Sequence, residues 1–78
     1  SGLLRNVAVA IGNVGDERAV PILTQVLARE PDPLVRGHVA WALGHIGGAM
    51  AMAKLQAARA TEVDTDVLQE IDAAIKGV

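Results

Sequence analysis

The chain has 78 residues, a net charge of −2 and an isoelectric point near 5.5. Just over half of it is hydrophobic, but it contains one Trp and no Phe or Tyr, which favours closely packed helices over an aromatic-rich β-sandwich. The absence of cysteine excludes disulfides and thiolate-bound zinc or iron–sulfur clusters within these residues and fits a cytoplasmic protein. The acidic balance argues against a general electrostatic grip on nucleic acid, and no apolar run reaches the roughly 18 residues of a membrane span.

Internal repetition is the main organising feature of the sequence. At an offset of 32 positions, 12 of the 46 residue pairs are identical and no insertion is needed. Each unit holds two helical segments, and such a pair buries its apolar face only by stacking on neighbouring pairs. We therefore predict an all-α solenoid of HEAT-like repeats with five helices, at about 3–14, 17–29, 34–46, 49–60 and 65–76. The predicted units of this single domain, 1–78, are about 1–32, 33–64 and 65–78.

The first unit begins with a helix that is buried along one side. Leu3, Val7, Ala10, Ile11 and Val14 follow the spacing of one helix face, and this helix lacks a preceding partner. The array therefore looks truncated, and we expect the chain to be a C-terminal fragment of a larger protein. Gly15 suits a left-handed turn at the end of the helix, and Asp16 suits the N-cap of the second one. Pro21 fits the first turn of that second helix, or a short bent lead-in to it.

The second unit follows the break at residues 31–33 and repeats the same pattern. Its core face is predicted to contain five apolar residues, and a left-handed turn is expected at Gly47. Met50 and Met52 are expected to fill gaps in the core. Arg36 lies toward the flank of the core, where we predict a salt bridge between repeats, to Asp32 or Asp64. The five predicted core residues are Val35, Val39, Ala42, Leu43 and Ile46.

The last unit departs from this pattern. At the repeat positions of Arg36, His38, Ala40 and Gly44 it carries Leu68, Glu70, Asp72 and Lys76. A more polar final helix is typical of the unit that caps a repeat array.

In the first two units, one helix face is predicted to lie neither in the apolar core nor along its flank. At about 100° per residue, a polar ladder of Asn6, Asn13, His38 and His45 falls on this face, with Trp41 beside it and Arg5 nearby. These side chains either bind a partner or hydrogen-bond between neighbouring repeats. Trp41 either anchors a partner or covers the edge of the solenoid. The two histidines are seven residues apart, too far for a helical metal-ligand pair, so we expect no metal site in this segment. We also expect it to contain no catalytic group.

The sequence resembles known proteins in two ways, one general and one more specific, and both bear on its function. The segment from Asp32 to Arg36, placed ahead of Val39 and Leu43, resembles a HEAT repeat, in which the Asp and Arg tie successive repeats together. Residues 5–13, 15–21 and 33–44 further resemble the C-terminal HEAT-like domain of epoxyqueuosine reductase, an oxidoreductase of tRNA queuosine biosynthesis. The most specific part is the string Leu-Val-Arg-Gly-His-x-Ala-Trp-Ala-Leu-Gly at 34–44.

The second resemblance implies that the parent protein has a catalytic portion with cobalamin and [4Fe–4S] clusters, whose cysteine ligands lie outside this chain. It implies that this segment helps to hold a tRNA anticodon stem-loop. Phosphates would meet Arg5 and Arg36, and Trp41 would be a stacking platform. Hydrogen bonds would come from Asn6, Asn13, His38 and His45. The family often has Arg where His45 stands, which weakens cationic contact there near neutral pH.

Two other interpretations stay open. A generic HEAT-repeat scaffold would bind a protein partner on its concave face, with apolar hot spots and little salt dependence. An interdomain spacer would pack on its own catalytic domain. The acidic isoelectric point favours the scaffold, and the 34–44 string favours the RNA-binding interpretation.

Overall fold

The computed structural model describes residues 16–77. Within this range a 3₁₀ helix, Glu17–Ala19, leads into four α-helices, and there is no strand. The α-helices are α1 (Val20–Arg29), α2 (Pro33–Ile46), α3 (Gly48–Thr61) and α4 (Thr65–Lys76). The prediction of an all-α helical-repeat fold is confirmed. The predicted first helix, 3–14, and Gly15 lie outside the described residues.

The helix starts are fixed by aspartates at matching repeat positions. The Asp32 carboxylate accepts a hydrogen bond from the backbone N–H of Leu34 at the start of α2 (2.9 Å). One repeat later, the Asp64 carboxylate accepts from the N–H groups of Asp66 and Val67 at the start of α4 (2.9 and 3.1 Å). Each cap satisfies amide donors that have no partner within the helix.

The chain enters α1 through a short bent segment, which was one of the two arrangements predicted around Pro21. Asp16 caps the 3₁₀ helix through the N–H of Arg18, and Pro21 follows in the first turn of α1. The predicted single helix over 17–29 is therefore two elements, because the N–H of Ala19 bonds to the carbonyl of Asp16, three residues back, in the 3₁₀ pattern.

One apolar core joins all four α-helices. From α2, four of the five predicted residues are fully buried, and Ile46 packs partly buried against them. The helix α2 lies at the centre, in contact with α1, α3 and most extensively α4. The prediction for Met50 is wrong, since it is 60% exposed. The buried residues are Val20, Leu23, Leu27, Val35, Val39, Ala40, Ala42, Leu43, Ala51, Leu55, Val67, Ile71 and Ala74.

Two glycines shape how α2 ends and packs. Gly47 separates α2 from α3, and its φ of 73° is a value that favours glycine. With ψ at −163°, it does not adopt the left-handed helical conformation that was predicted for this turn. Gly44 lies against α4 so closely that a Cβ there would lie 2.5 Å from the Cβ of Ala74. The contact between α2 and α4 therefore depends on the missing side chain at Gly44.

Candidate functional site

The described part of the candidate surface is one side of α2. His38, Trp41 and His45 are spaced three and four residues apart, so they line up along the helix. The rings of Trp41 and His45 stack with centroids 5.0 Å apart and planes at 18°. Trp41 is half-buried and packs against the core, while His45 is exposed. Trp41 thus covers core residues and also stacks on the exposed ring of His45.

His38 is oriented by its own helix. Its Nδ1 lies 2.8 Å from the carbonyl oxygen of Leu34. Because a carbonyl can only accept, Nδ1 carries the proton, and in the neutral ring Nε2 keeps its lone pair for an outside donor. This bond runs within α2 and links no neighbouring repeat.

Arg36 has a structural role, and the predicted partner was wrong. Its guanidinium donates to both carboxylate oxygens of Glu62 (2.9 and 3.0 Å), rather than to Asp32 or Asp64. Its Nη1 donates to the carbonyls of Glu30 and Pro31 (2.9 and 3.0 Å). The side chains of Arg36 and Glu62 are only 16% and 6% exposed. All three guanidinium nitrogens are thus used inside the protein, which argues against the predicted phosphate contact.

The ion pair fixes the protonation states of both groups. Hydrogen bonds from Arg36 lower the pKa of the Glu62 carboxyl from its ordinary value of 4.5, against the opposing effect of burial. The same bonds raise the pKa of Arg36. Glu62 also accepts from the N–H groups of Val63 and Asp64 (3.1 Å each), so one carboxylate organises the linker between α3 and α4.

Glu62 was not singled out from the sequence, although a signal was present. It is identical to Glu30 at the offset of 32, and Glu30 occupies the corresponding linker, where it accepts from the N–H of Asp32 (3.3 Å). A glutamate thus recurs two residues before the N-cap aspartates of α2 and α4, where its carboxylate accepts from backbone N–H groups of the turn.

The side of α2 that carries His38, Trp41 and His45, here called the α2 surface, borders a groove whose opposite wall is formed by α4. The groove, of about 670 Å³, is lined by Leu34, Gly37, His38 and Trp41 of α2. Its α4 side carries Asp66 and Glu70, and both cap residues, Asp32 and Asp64, lie at its end. No Lys or Arg of residues 16–77 lines it. On this side the environment of Trp41 is acidic, a property that sequence reasoning missed, although Glu70 stands at the repeat position of His38.

Three predicted site residues, Arg5, Asn6 and Asn13, lie outside the described residues. In the repeat register they correspond to Gly37, His38 and His45. Of the four predicted site residues that the structure describes, His38, Trp41 and His45 lie together on α2. Arg36 instead pairs with Glu62 in the linker between α3 and α4.

Chemically, the described surface offers recognition groups. In residues 16–77 no set of three or more His, Asp and Glu side chains is arranged to hold a metal ion. Over the same range, no helix has the length and hydrophobicity to cross a bilayer.

Comparison with known proteins shows what this arrangement is similar to. A family model described as HEAT repeats matches residues 3–76. The chain is 41% identical over 69 residues to the epoxyqueuosine reductase of Listeria monocytogenes, which covers 88% of the chain and 18% of that protein. It is 35% identical over 72 residues to the epoxyqueuosine reductase of Bacillus subtilis, covering 92% of the chain and 19% of the relative.

The fold agrees with these sequence matches. A structure of the Bacillus subtilis epoxyqueuosine reductase superposes with a TM-score of 0.87 at 34% identity, over 95% of this chain and 20% of that one. The chain spans about a fifth of the length of the epoxyqueuosine reductases that it matches. With its helix pairs, their capped starts and the family match over nearly its whole length, the chain belongs to the HEAT-repeat family.

Proposed function

We propose that this chain is the RNA-contacting HEAT-repeat segment of a larger, epoxyqueuosine reductase-like enzyme, and that it contacts a tRNA anticodon stem-loop. The observation that carries the proposal is the similarity to epoxyqueuosine reductases over nearly the whole chain, at 34–41% identity. The reductive chemistry, with cobalamin and [4Fe–4S] clusters, belongs to other parts of such an enzyme, because no cysteine is present here. The segment itself acts in recognition, in the cytoplasm.

The α2 surface suits unpaired or loop nucleotides. Sequence-specific RNA recognition often stacks exposed bases on aromatic rings and hydrogen-bonds their edges. Trp41 with His45 provides a stacked pair, and Nε2 of His38 would accept from a base N–H or a 2′-hydroxyl whenever the ring is neutral. In the first unit, Arg5 would contact a phosphate, and Asn6 and Asn13 would add hydrogen bonds.

The test is fluorescence anisotropy of a labelled queuosine-type anticodon stem-loop with the 78-residue chain, at low and moderate salt. We expect binding that weakens with salt, because phosphate contacts release counterions. Trp41→Leu keeps an apolar side chain against the core but removes the stacking surface, so it should weaken binding about tenfold or more. Met50→Ala, at an exposed position on α3, is the matched control and should bind like the wild type.

The controls separate the proposal from a spacer role. The segment is a spacer if the longer parent enzyme binds the stem-loop, the isolated chain does not bind it, and Trp41→Leu leaves binding by the parent unchanged. Binding by the isolated chain that is insensitive to both salt and Trp41→Leu would also contradict the proposal.

A further inference from the structure

The groove between α2 and α4 has an apolar floor that is open to solvent. Leu34 is 54% exposed at one end and Trp41 lies at the other, seven residues along α2, which places them about 10 Å apart along the helix axis. Between them Gly37 has no side chain to fill the space. The Cγ of Glu70 lies 3.7 Å from the point that a Cβ on Gly37 would occupy, so the stem of Glu70 borders the floor.

The wall of this groove carries a charge that the described chain leaves uncompensated. Asp66 and Glu70 are exposed at i and i+4 on α4, a spacing at which like charges destabilise a helix. The ion pairs among residues 16–77 join Arg18 to Asp16, Arg36 to Glu62, and Arg59 to Asp72, and none involves the groove carboxylates. A cation placed between Asp66 and Glu70 would relieve their repulsion.

We propose that this groove binds a short extended protein segment in which a Lys or Arg is flanked by apolar residues. In an extended segment of the polyproline II type, residues three apart point the same way and lie about 9 Å apart, close to the separation of Leu34 and Trp41 along α2. The apolar side chains would cover Leu34 and Trp41, while the cation would lie near Asp66 and Glu70 and within reach of the Trp41 ring face. Charge complementarity selects a basic segment, and the same wall repels phosphates.

This inference does not depend on the RNA-binding proposal. The proposed RNA surface uses His38, Trp41 and His45 of α2, whereas the charged wall of the groove belongs to α4. The two surfaces share His38 and the Trp41 ring, so variants of Asp66 and Glu70, which belong to the groove and not to the proposed RNA surface, are the ones that separate them.

The experiment is an NMR titration of the ¹⁵N-labelled 78-residue chain with the blocked peptide Leu-Arg-Ala-Leu, and with Leu-Glu-Ala-Leu as the matched control. The arginine peptide should shift the amide signals of Leu34, Gly37 and Glu70 and the indole N–H of Trp41. The glutamate peptide should leave them in place. A chain whose groove signals respond to neither peptide, or equally to both, would overturn the proposal.

Charge variants give a second, independent readout. Glu70→Gln and Asp66→Asn should each weaken arginine-peptide binding about threefold, as expected for a solvent-exposed ion pair. Glu17→Gln removes one exposed carboxylate outside the groove and should bind like the wild type. Unchanged affinity in both groove variants would count against the proposal. A shift of the groove signals by an RNA hairpin, without a shift by either peptide, would also count against the proposal.

Discussion

At the scale of single residues, Arg36 shows how a side chain with the chemistry of a binding group can be committed to the fold. Its guanidinium connects α2 to two linkers, through two carbonyls of the linker between α1 and α2 and the Glu62 carboxylate of the linker between α3 and α4. The pair is largely shielded from solvent, so removal of one partner leaves the other charge poorly solvated.

Arg36→Ala should therefore destabilise the chain by on the order of 3 kcal/mol, the cost of breaking a buried ion pair. Chemical denaturation followed by circular dichroism would measure the loss. Arg18→Ala is the matched control, because the Arg18 side chain is 91% exposed and its ion-pair partner within residues 16–77 is the nearby Asp16, so its loss should change stability little. Equal effects of the two substitutions would contradict the structural role of Arg36.

The same pair predicts a pH dependence. Since the folded-state pKa of Glu62 is lowered, its contribution is fully present above the unfolded-state value near 4.5 and is lost as the pH falls through the lower, folded-state value. Thermal unfolding of the wild type and of Glu62→Gln should thus differ most near neutral pH. The difference should shrink as the pH falls below about 4.5. A difference that stays constant down to pH 2 would show that Glu62 acts through packing instead.

At the scale of the helices, α2 and α4 meet at a glycine. A methyl group at Gly44 would lie 2.5 Å from the Cβ and 2.9 Å from the Cα of Ala74, and the backbone of α4 cannot move aside as a flexible side chain would. At Gly37, in the same helix, the nearest atom is the Cγ of Glu70 at 3.7 Å, an ordinary contact.

Gly44→Ala should destabilise the chain by about 1–3 kcal/mol through overpacking. Gly37→Ala should be neutral or stabilising by up to about 1 kcal/mol, because alanine is the better helix former. Denaturant midpoints of the two variants measured side by side would test this. Equal midpoints would mean that α2 and α4 do not approach as closely as described.

The helices were largely predictable because their ends carry strong local signals. The predicted ranges 34–46, 49–60 and 65–76 differ from α2, α3 and α4 by at most one residue at either end, where Asp32, Gly47 and Asp64 mark the boundaries. The exposure of Met50 could also have been foreseen, since its equivalent in the repeat is Arg18. The partner of Arg36 could not, because it depends on how two linkers pack side by side.

The candidate site was predictable in part. Helical spacing alone places His38, Trp41 and His45 together, and the structure does so. The acidic wall opposite them required knowledge of which residues of α4 face α2, a property of packing that no local pattern contains.

At the scale of the whole molecule, stability is shared between stacked helices. The core contribution of α4 comes from Val67, Ile71 and Ala74, and burial of the Val and Ile side chains alone is worth about 3–6 kcal/mol. Small domains are stable by only about 5–15 kcal/mol, with small chains at the low end.

A chain that ends at Asp64 should consequently lose its cooperative thermal transition, although it keeps α1, α2 and α3. Differential scanning calorimetry would show this, with a chain that ends at Lys76 as the control. A truncated chain with a sharp transition would indicate that α4 is an appendage and that the core is complete without it.

The close approach at Gly44 also sets a rule for building longer arrays from this sequence. An added helix that followed the 32-residue register would have to pack on α4 at Lys76, the equivalent of Gly44, and beside Asp72, the equivalent of the buried Ala40. Neither side chain permits the same spacing, and Asp72 is already engaged by Arg59. A copy of the second unit added after α4 would therefore stack poorly, whereas Lys76→Gly and Asp72→Ala introduced together would make α4 a surface on which another copy can be stacked.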